Sequence, residues 1–463
     1  MQKREPVSGP DVLLDVRPGA GPLHSQLEHS LRDQVRGGQL APGARLPSSR
    51  ALAVELGVSR GVVLEAYGQL VAEGYLVASQ GAPTRVVGGT GSQLAPLAAR
   101  LPQPQYAYRF DAALPDLAAF PRDRWLRSLR AALRDAPYEA LGHSDPRGSP
   151  ELRNALMEYL GRARGAAPEP EHTVICAGFT QGLRLLCTSL RERGIEQIAI
   201  EEPGWARYRQ VAEGLGLEPI PIPTDASGLD VAALAASGCE TVVVTPAHHF
   251  PTGVVMSSER RAALLAWADE VEGLIVEDDY DTELRFDRGP LGALQGLAPE
   301  RVCHIGSASK RLIPSLRLGW ILCPSWLTGE LTFAKGLADG GTSVIEQLAL
   351  ADFIARGELD RHLRRMRIRY RRRRDAAVAA LAAALPEARV TGIAAGLFVH
   401  AMLPEGHNEA SALRAAAQAG VWLEGAAPHR LEDGPAAGLL IGYANVAEAA
   451  IERGIALLGD AVR

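Results

Sequence analysis

Apolar positions recur at helical spacing near the start of the chain, first through residues 23–35 (LHSQLEHSLRDQV). Pro47 closes the following segment, and Ser48 or Ser49 is placed to cap a short helix over residues 50–56. Gly57-Val58 forms a tight turn. Ser59 then caps another helix, with Val62, Val63, Ala66, Leu70 and Val71 on one face. Next, GYLVASQGAPTRVV reads as a short hairpin. Helix, glycine turn, helix is the helix-turn-helix order, in which the second helix enters the major groove with its first residues, here Ser59, Arg60 and Gly61, nearest the bases. By itself the pattern also fits a small helical bundle with no DNA role.

This first region spans residues 12–87. Residues 88–107 (GGTGSQLAPLAARLPQPQYA) have the Gly, Pro, Gln and Ala content of a linker. From 108 to 463 the pattern changes: short apolar runs alternate with longer helical stretches, as in an α/β domain with a largely parallel sheet.

Composition narrows the picture. A chain of 463 residues is too long for one compact core, so two or three domains are expected. Its 47% hydrophobic and 22% charged residues are ordinary for a globular protein. The net charge of -5 gives no bulk attraction to nucleic acid. Residues 1–87 hold nine basic against eight acidic side chains, so DNA binding by this module calls for a dimer reading two half-sites. Cys176, Cys187, Cys239, Cys303 and Cys323 make no CxxC pair and no metal spacing, which favours buried thiols in a reducing compartment. The start MQKREPVSGP has no apolar core and no stretch is long and apolar enough to span a bilayer, so a cytoplasmic location is expected.

Four apolar runs of the large region end in polar residues, where open parallel sheets bind ligands. Residues 173–177 lead into the turn Gly178-Phe179-Thr180-Gln181 and a helix, whose free N–H groups suit a phosphate, although such a turn also serves as a plain connection. Residues 241–245 lead to His248 and His249, adjacent in sequence and poorly spaced for a shared metal; no metal is expected. Residues 274–276 lead to Glu277, Asp278, Asp279, Tyr280 and Asp281. That acidic group reads as a Mg²⁺ site, a solvated loop, or a carboxylate facing a protonated ring nitrogen. Residues 302–306 lead to Ser307, Ser309, Lys310 and Arg317. Pyridoxal phosphate needs a Schiff-base lysine, an acid for its ring nitrogen and a phosphate cup. Lys310, Asp278 and the Gly178–Thr180 turn with Ser307, Ser309 and Arg317 supply all three.

Several blocks carry a resemblance to known families. LPSSR (46–50), LGVSR (56–60) and the AY and EGY pairs within 66–75 resemble the winged helix of GntR-family regulators. FDAALPDLAAFP, LGHSDPRGSPELRNALMEYLGRARG, EEPGWARYRQV, TPAHHFPTGVVMS, VEDDYDTELRFD and SASKRLIPSLRLGW resemble fold-type I aminotransferases from about residue 110 to the end. The combination is similar to the MocR subfamily, with its GabR-like and PdxR-like members. The resemblance implies a winged helix-turn-helix joined to an α/β aminotransferase-like domain with a smaller C-terminal α+β subdomain, and a homodimer. It implies DNA contacts from Ser49, Arg50, Ser59 and Arg60. It also implies that Lys310 holds pyridoxal 5'-phosphate as an internal aldimine, Asp278 faces the pyridine nitrogen, Tyr280 bonds the ring hydroxyl, and Arg317 and Ser307 bind the phosphate.

The departures matter as much. Where aminotransferases of this class have Asn before Pro-Thr-Gly, this chain has Phe250, so the bond to the ring hydroxyl is lost or falls to His249. That puts efficient transamination in doubt. The resemblance to GabR-like proteins, which have an aromatic residue and an Arg after Pro-Gly, implies that Trp205 covers the ring and that Arg207, with Arg430 nearer the C-terminus, holds an effector carboxylate. In the wing, Gly81-Ala82-Pro83-Thr84 stands where the family often has Gly-Ser-Gly-Thr, and Pro83 removes a donor. The arginine-dense RHLRRMRIRYRRRRD reads as an amphipathic helix with Met366, Ile368 and Tyr370 interspersed, either a solvated face or an added DNA contact. Two functions follow: a cofactor-dependent transcription regulator sensing the cofactor or an amino-acid effector, or a working aminotransferase with an appended DNA module.

Overall fold

A computed structural model of the chain describes residues 21–79, 82–87, 106–143, 145–286, 291–392, 395–431 and 438–462. The chain divides into two compact units, residues 1–104 and 105–463.

In the first unit three helices, Leu23–Arg36, Ser49–Leu56 and Arg60–Ala72, precede a two-stranded antiparallel hairpin of Leu76–Val77 and Arg85–Val86. Arg45 adds an antiparallel bridge to Arg85. Leu27, Leu31, Leu52, Val63, Ala66, Leu70 and Val86 form one core. Ser48 rather than Ser49 caps the second helix, accepting from the Ala51 amide. Gly57 ends that helix at φ 66, a left-handed conformation glycine adopts without steric cost. Ser59 caps the third helix, accepting from the Val62 amide. Of the face expected on that helix, Val63, Ala66 and Leu70 are buried together with Tyr67, while Val62 and Val71 are half-buried. Gly81 of the wing and residues 88–105 of the expected linker lie outside the described residues.

The second unit has two sheets. The larger runs in the order Thr173–Cys176, Gly319–Leu322, Val302–Ser307, Leu274–Asp279, Thr241–Val244, Gln197–Glu202, Glu218–Asp225, Gly228–Leu229. Its inner strands pair parallel, from Val302–Ser307 across to Glu218–Asp225. Gly319–Leu322 runs against both its neighbours. The smaller sheet has the order Arg389–Thr391, Phe398–Met402, Gly438–Gly442, Val421–Gly425, Tyr108–Phe110.

The third apolar run, expected to end at Val276, continues as strand through Glu277, Asp278 and Asp279. Asp278 pairs with Ile305 and Asp279 with Gly306 in the parallel register. Charged residues are rarely buried in strands, so a reading by apolar pattern stops too early here. The long helix Glu358–Ala384 buries Leu359, Leu363, Met366, Tyr370, Ala377 and Leu381. Ile368, expected on its apolar side, is 60% exposed, because a residue two positions from Met366 points to the other side of a helix. Some of the run's arginines are held within the unit: Arg369 and Arg373 both pair with Asp116, and Arg367 donates to the Glu283 carbonyl. All five cysteines are buried and free. No described helix is long and apolar enough to cross a membrane.

Candidate functional site

In the first unit, Arg50, Ser59 and Arg60 are exposed and Ser49 is half-buried. The Arg60 Nε donates to Ser49 Oγ at 3.3 Å, which ties the start of the third helix to the start of the second. Tyr67 fixes the same corner from below, its hydroxyl donating to the Pro47 carbonyl at 3.0 Å. These side chains therefore stand together at the end of the third helix that a helix-turn-helix turns to the bases. In the wing, Ala82 and Pro83 are exposed, and the Thr84 carbonyl accepts from the Leu46 amide.

In the second unit, a cavity of about 300 Å³ opens at the carboxyl ends of the parallel strands. Phe179, Thr180, Trp205, Asp278, Tyr280, Ser307, Ser309, Lys310 and Arg317, all singled out in the sequence, line it. Gly178 lies at its edge with φ 94, and a Cβ there would stand 3.4 Å from the Arg317 guanidinium. The backbone conformation calls for glycine, while the arginine would meet a Cβ only at ordinary contact distance. Arg317 itself is left-handed at φ 52, a conformation that costs a non-glycine residue roughly 1–2 kcal/mol. Its guanidinium donates to the Ala177 carbonyl, so it is held against the turn where the helix Phe179–Glu192 begins with unpaired N–H groups.

Lys310 sits on a helix of four residues, Ala308–Arg311, directly after the strand Val302–Ser307. Burial pushes its amine below the usual lysine range, while Asp281, Asp278 and Glu424 pull the other way. The next residue, Arg311, anchors this helix from beneath. It is fully buried and donates to Glu283 at 2.8 Å and to Asp279 at 3.0 Å. Asp279 also accepts from Arg164 at 2.9 Å and faces His304 Nε2 at 3.0 Å. Burial would raise the Asp279 carboxyl, but the two guanidiniums and His304 hold it well below the usual range.

The acidic run is thus divided among separate partners. Glu277 accepts the Leu294 and Gln295 amides, Asp279 takes the arginines, and Asp281 pairs with His248 Nδ1 at 2.8 Å. No group of three or more His, Cys, Asp or Glu placed to hold a metal occurs among the described residues. Asp278 faces the cavity instead. Its Oδ2 accepts the Tyr208 hydroxyl at 2.6 Å, and its Oδ1 is buried with no partner. Burial pushes its carboxyl well above the usual range, with Asp279 and Asp281 adding to the rise. A buried carboxylate oxygen without a partner, facing an open volume, fits a protonated ring nitrogen.

Three sequence expectations fall elsewhere. His249 does not line the cavity: its Nδ1 meets Thr252 Oγ1 at 2.7 Å and its Nε2 lies 3.4 Å from Glu201. Burial lowers its imidazole to about 3, so it is neutral. The wall at this point is Phe250, edge-on to Phe398 at 5.1 Å and to His429 at 4.8 Å. Arg207 is exposed in the first turn of the helix Ala206–Glu213, and Arg430 is half-buried; neither lines the cavity. Tyr280 lines it, but its hydroxyl donates to the His248 carbonyl at 2.8 Å. Sequence reasoning missed Tyr208, which packs edge-on against Trp205 at 5.6 Å, as well as Arg311 and Glu424. Tyr208 carried a local signal, since it lies three residues after Trp205 on the same helical turn.

A winged helix on one unit, and on the other an aminotransferase fold with a half-buried lysine and a buried acid in one cavity, define a DNA-binding regulator with an aminotransferase-like domain. Comparison with known proteins agrees. The family described as "Bacterial regulatory proteins, gntR family" matches residues 23–86, and "Aminotransferase class I and II" matches residues 120–456. The chain is 35% identical to the pyridoxine biosynthesis transcriptional regulator PdxR of Corynebacterium glutamicum, over 82% of this chain and 83% of that protein. It is 32% identical to the probable rhizopine catabolism regulatory protein MocR of Rhizobium meliloti, over 95% of this chain and 94% of that one. A solved structure of Pyrococcus horikoshii kynurenine aminotransferase, in complex with PMP, superposes with a TM-score of 0.70 at 26% identity, covering 77% of this chain and 91% of that one. The chain belongs to the GntR family of transcriptional regulators, in the MocR group that joins the winged helix to a class I and II aminotransferase domain.

Proposed function

We propose that this protein is a homodimeric, cytoplasmic regulator that binds pyridoxal 5'-phosphate in the cavity around Lys310 and changes its hold on double-stranded DNA when the cofactor, or an amine that reacts with it, is present. One observation carries this reading: Lys310, Asp278 with its unpartnered oxygen, and Arg317 beside the Gly178 turn all face one volume.

Pyridoxal phosphate, when bound, supplies an aldehyde that condenses with amines and a ring that draws electrons from them. The chain's own residues would hold it. Arg317, Ser307, Ser309, Thr180 and the free amides after Gly178 suit its phosphate. Asp278 suits the ring nitrogen and is kept in place by Tyr208. Trp205 suits the ring face, and the lowered lysine of Lys310 suits its aldehyde. Tyr280 is the remaining hydroxyl beside Phe250, where no side chain of the Asn type is present. With His249 turned to Glu201, the wall next to Phe250 favours sensing over repeated turnover. On the other unit, Ser49, Arg50, Ser59 and Arg60 would contact the operator.

Regulation requires that the occupied and empty cavity prefer different arrangements of the DNA-binding unit. The test of cofactor binding is an absorbance spectrum of the purified protein after reconstitution. A visible band in the wild type that is absent from Lys310→Ala is expected. A colourless wild type would overturn the reading.

A further inference from the structure

Among the described residues, four charged side chains line the cavity: Asp278, Lys310, Arg317 and Glu424. The first three have roles in holding the cofactor. Glu424 has none. It arrives from the smaller sheet, on the strand Val421–Gly425, where Val421, Leu423 and Gly425 are buried and Trp422 and Glu424 point the other way. Trp422 lies against Tyr106 at 5.3 Å, outside the cavity lining, and Glu424 enters it.

The charges around Glu424 are few. Its Oε1 accepts the Ala112 amide at 3.2 Å. Asp111, the neighbouring acid, is neutralised by a two-pronged pair with Arg109 at 2.6 and 3.1 Å. Burial raises the Glu424 carboxyl and Asp111 adds to the rise, while Lys310 and Arg109 lower it. Once the Lys310 amine is committed to a cofactor, its free ammonium no longer offsets Glu424. A half-buried carboxylate then faces the volume an incoming amine must cross. Among the described residues Arg317 is the one arginine lining that volume, and it is held at the phosphate turn. Arg207 and Arg430 do not line it. A ligand with a carboxylate tail would therefore meet an acid there and, among the described residues, no free cation.

Resting on the cofactor reading above, we propose that Glu424 sets effector specificity by pairing with a second positive charge on the ligand, so that the effector is a diamine or a similarly dicationic amine. The reacting amine would displace the Lys310 amine from the cofactor's aldehyde carbon, Lys310 leaving as a free amine, while the distal ammonium goes to Glu424. A carboxylate–ammonium bond in a partly desolvated site discriminates strongly against a tail of opposite charge.

The experiment titrates reconstituted full-length protein with three amines of equal chain length: 1,4-diaminobutane, 4-aminobutanoate and butylamine. The change in the cofactor's visible band is the readout. In the wild type, 1,4-diaminobutane is expected to half-saturate at a concentration about tenfold below 4-aminobutanoate. Glu424→Gln keeps an acceptor for the Ala112 amide and removes the charge, so the preference should vanish while the cofactor band stays. Glu424→Asp keeps the charge and should retain most of the preference. The proposal is overturned by a wild type that responds equally well to 4-aminobutanoate, by one that responds to neither compound, or by a Glu424→Gln variant with the full preference. A wild type with no cofactor band overturns the cofactor reading, and the role of Glu424 with it.

Discussion

Arg50 and Arg60 stand in solvent at the starts of two short helices, while Asp278, Asp279 and Arg311 lie beneath the carboxyl ends of an eight-stranded sheet. The first pair needs little from the fold beyond two capped helices and a turn. The second group needs long-range compensation: Arg164 lies 115 residues from Asp279 in sequence, and Tyr208 lies 70 from Asp278. Exposed charges can be exchanged at small cost to the fold. Buried ones are bound into networks whose members lose stability together. The exposed arginines of the winged helix are thus open to exchange, while the charges beneath the Lys310 cavity are fixed by their partners.

Acid should separate the two units most widely. His249, His362, His400 and His429 are buried in the larger unit, and burial lowers them to about 3, 4, 4 and 4. A histidine depressed in the folded state contributes stability that is complete above its unfolded value near 6.5 and is lost as pH falls through the folded value. Glu201 runs the other way: burial raises it to about 8, so its contribution is present at low pH and fades as pH rises through that value. Asp278, Asp281 and Glu424, also raised chiefly by burial, act in the same direction as Glu201. Between pH 7 and 5 the four histidines alone would cost the larger unit roughly 7 kcal/mol, an amount that the raised carboxyls reduce. All six tryptophans lie in this unit, so their fluorescence reports it alone. Hydrogen exchange along the helix Arg60–Ala72 should stay protected over the same range, since His24 and His29 are not buried. Equal loss in both units would erase the contrast.

A smaller and sharper comparison sets Arg311→Ala against Arg60→Ala. The first leaves Glu283 and Asp279 short of a buried partner and should cost about 3–5 kcal/mol in denaturant unfolding followed by tryptophan fluorescence. The second should leave that transition within ~0.5 kcal/mol. Its effect should appear in DNA binding, as a loss of about 1–3 kcal/mol for a base contact, or as a fall of about one in the salt slope for a phosphate contact. An Arg311→Ala protein as stable as wild type would mean that the buried network is not what holds the Lys310 helix.

The same contrast explains what could be read from the sequence. Caps and turns are local, so Ser48, Gly57 and Ser59 outlined the helix-turn-helix directly. Strand ends followed by Gly178, Asp278, Ser307 and Lys310 pointed to one cavity, because parallel strands bring their carboxyl ends together. What stayed hidden depends on side-chain direction and on partners distant in sequence. His249 and Phe250 are adjacent, yet the chain turns one to Glu201 and the other to the cavity, which no spacing rule reports. Glu424 enters from a different sheet, 114 residues after Lys310 in the numbering. Arg311 carries no local signal of burial beside the lysine, and its role is visible only with Asp279 and Glu283 around it.

The most direct test of the link between the two units is the affinity of full-length protein for a DNA fragment selected by its binding. It should be measured with and without pyridoxal phosphate, for wild type and for Lys310→Ala. The expected result is an affinity that changes with cofactor in the wild type and is indifferent to it in Lys310→Ala. Identical affinities with and without cofactor in the wild type, despite a cofactor band in its spectrum, would contradict a sensing role for the cavity.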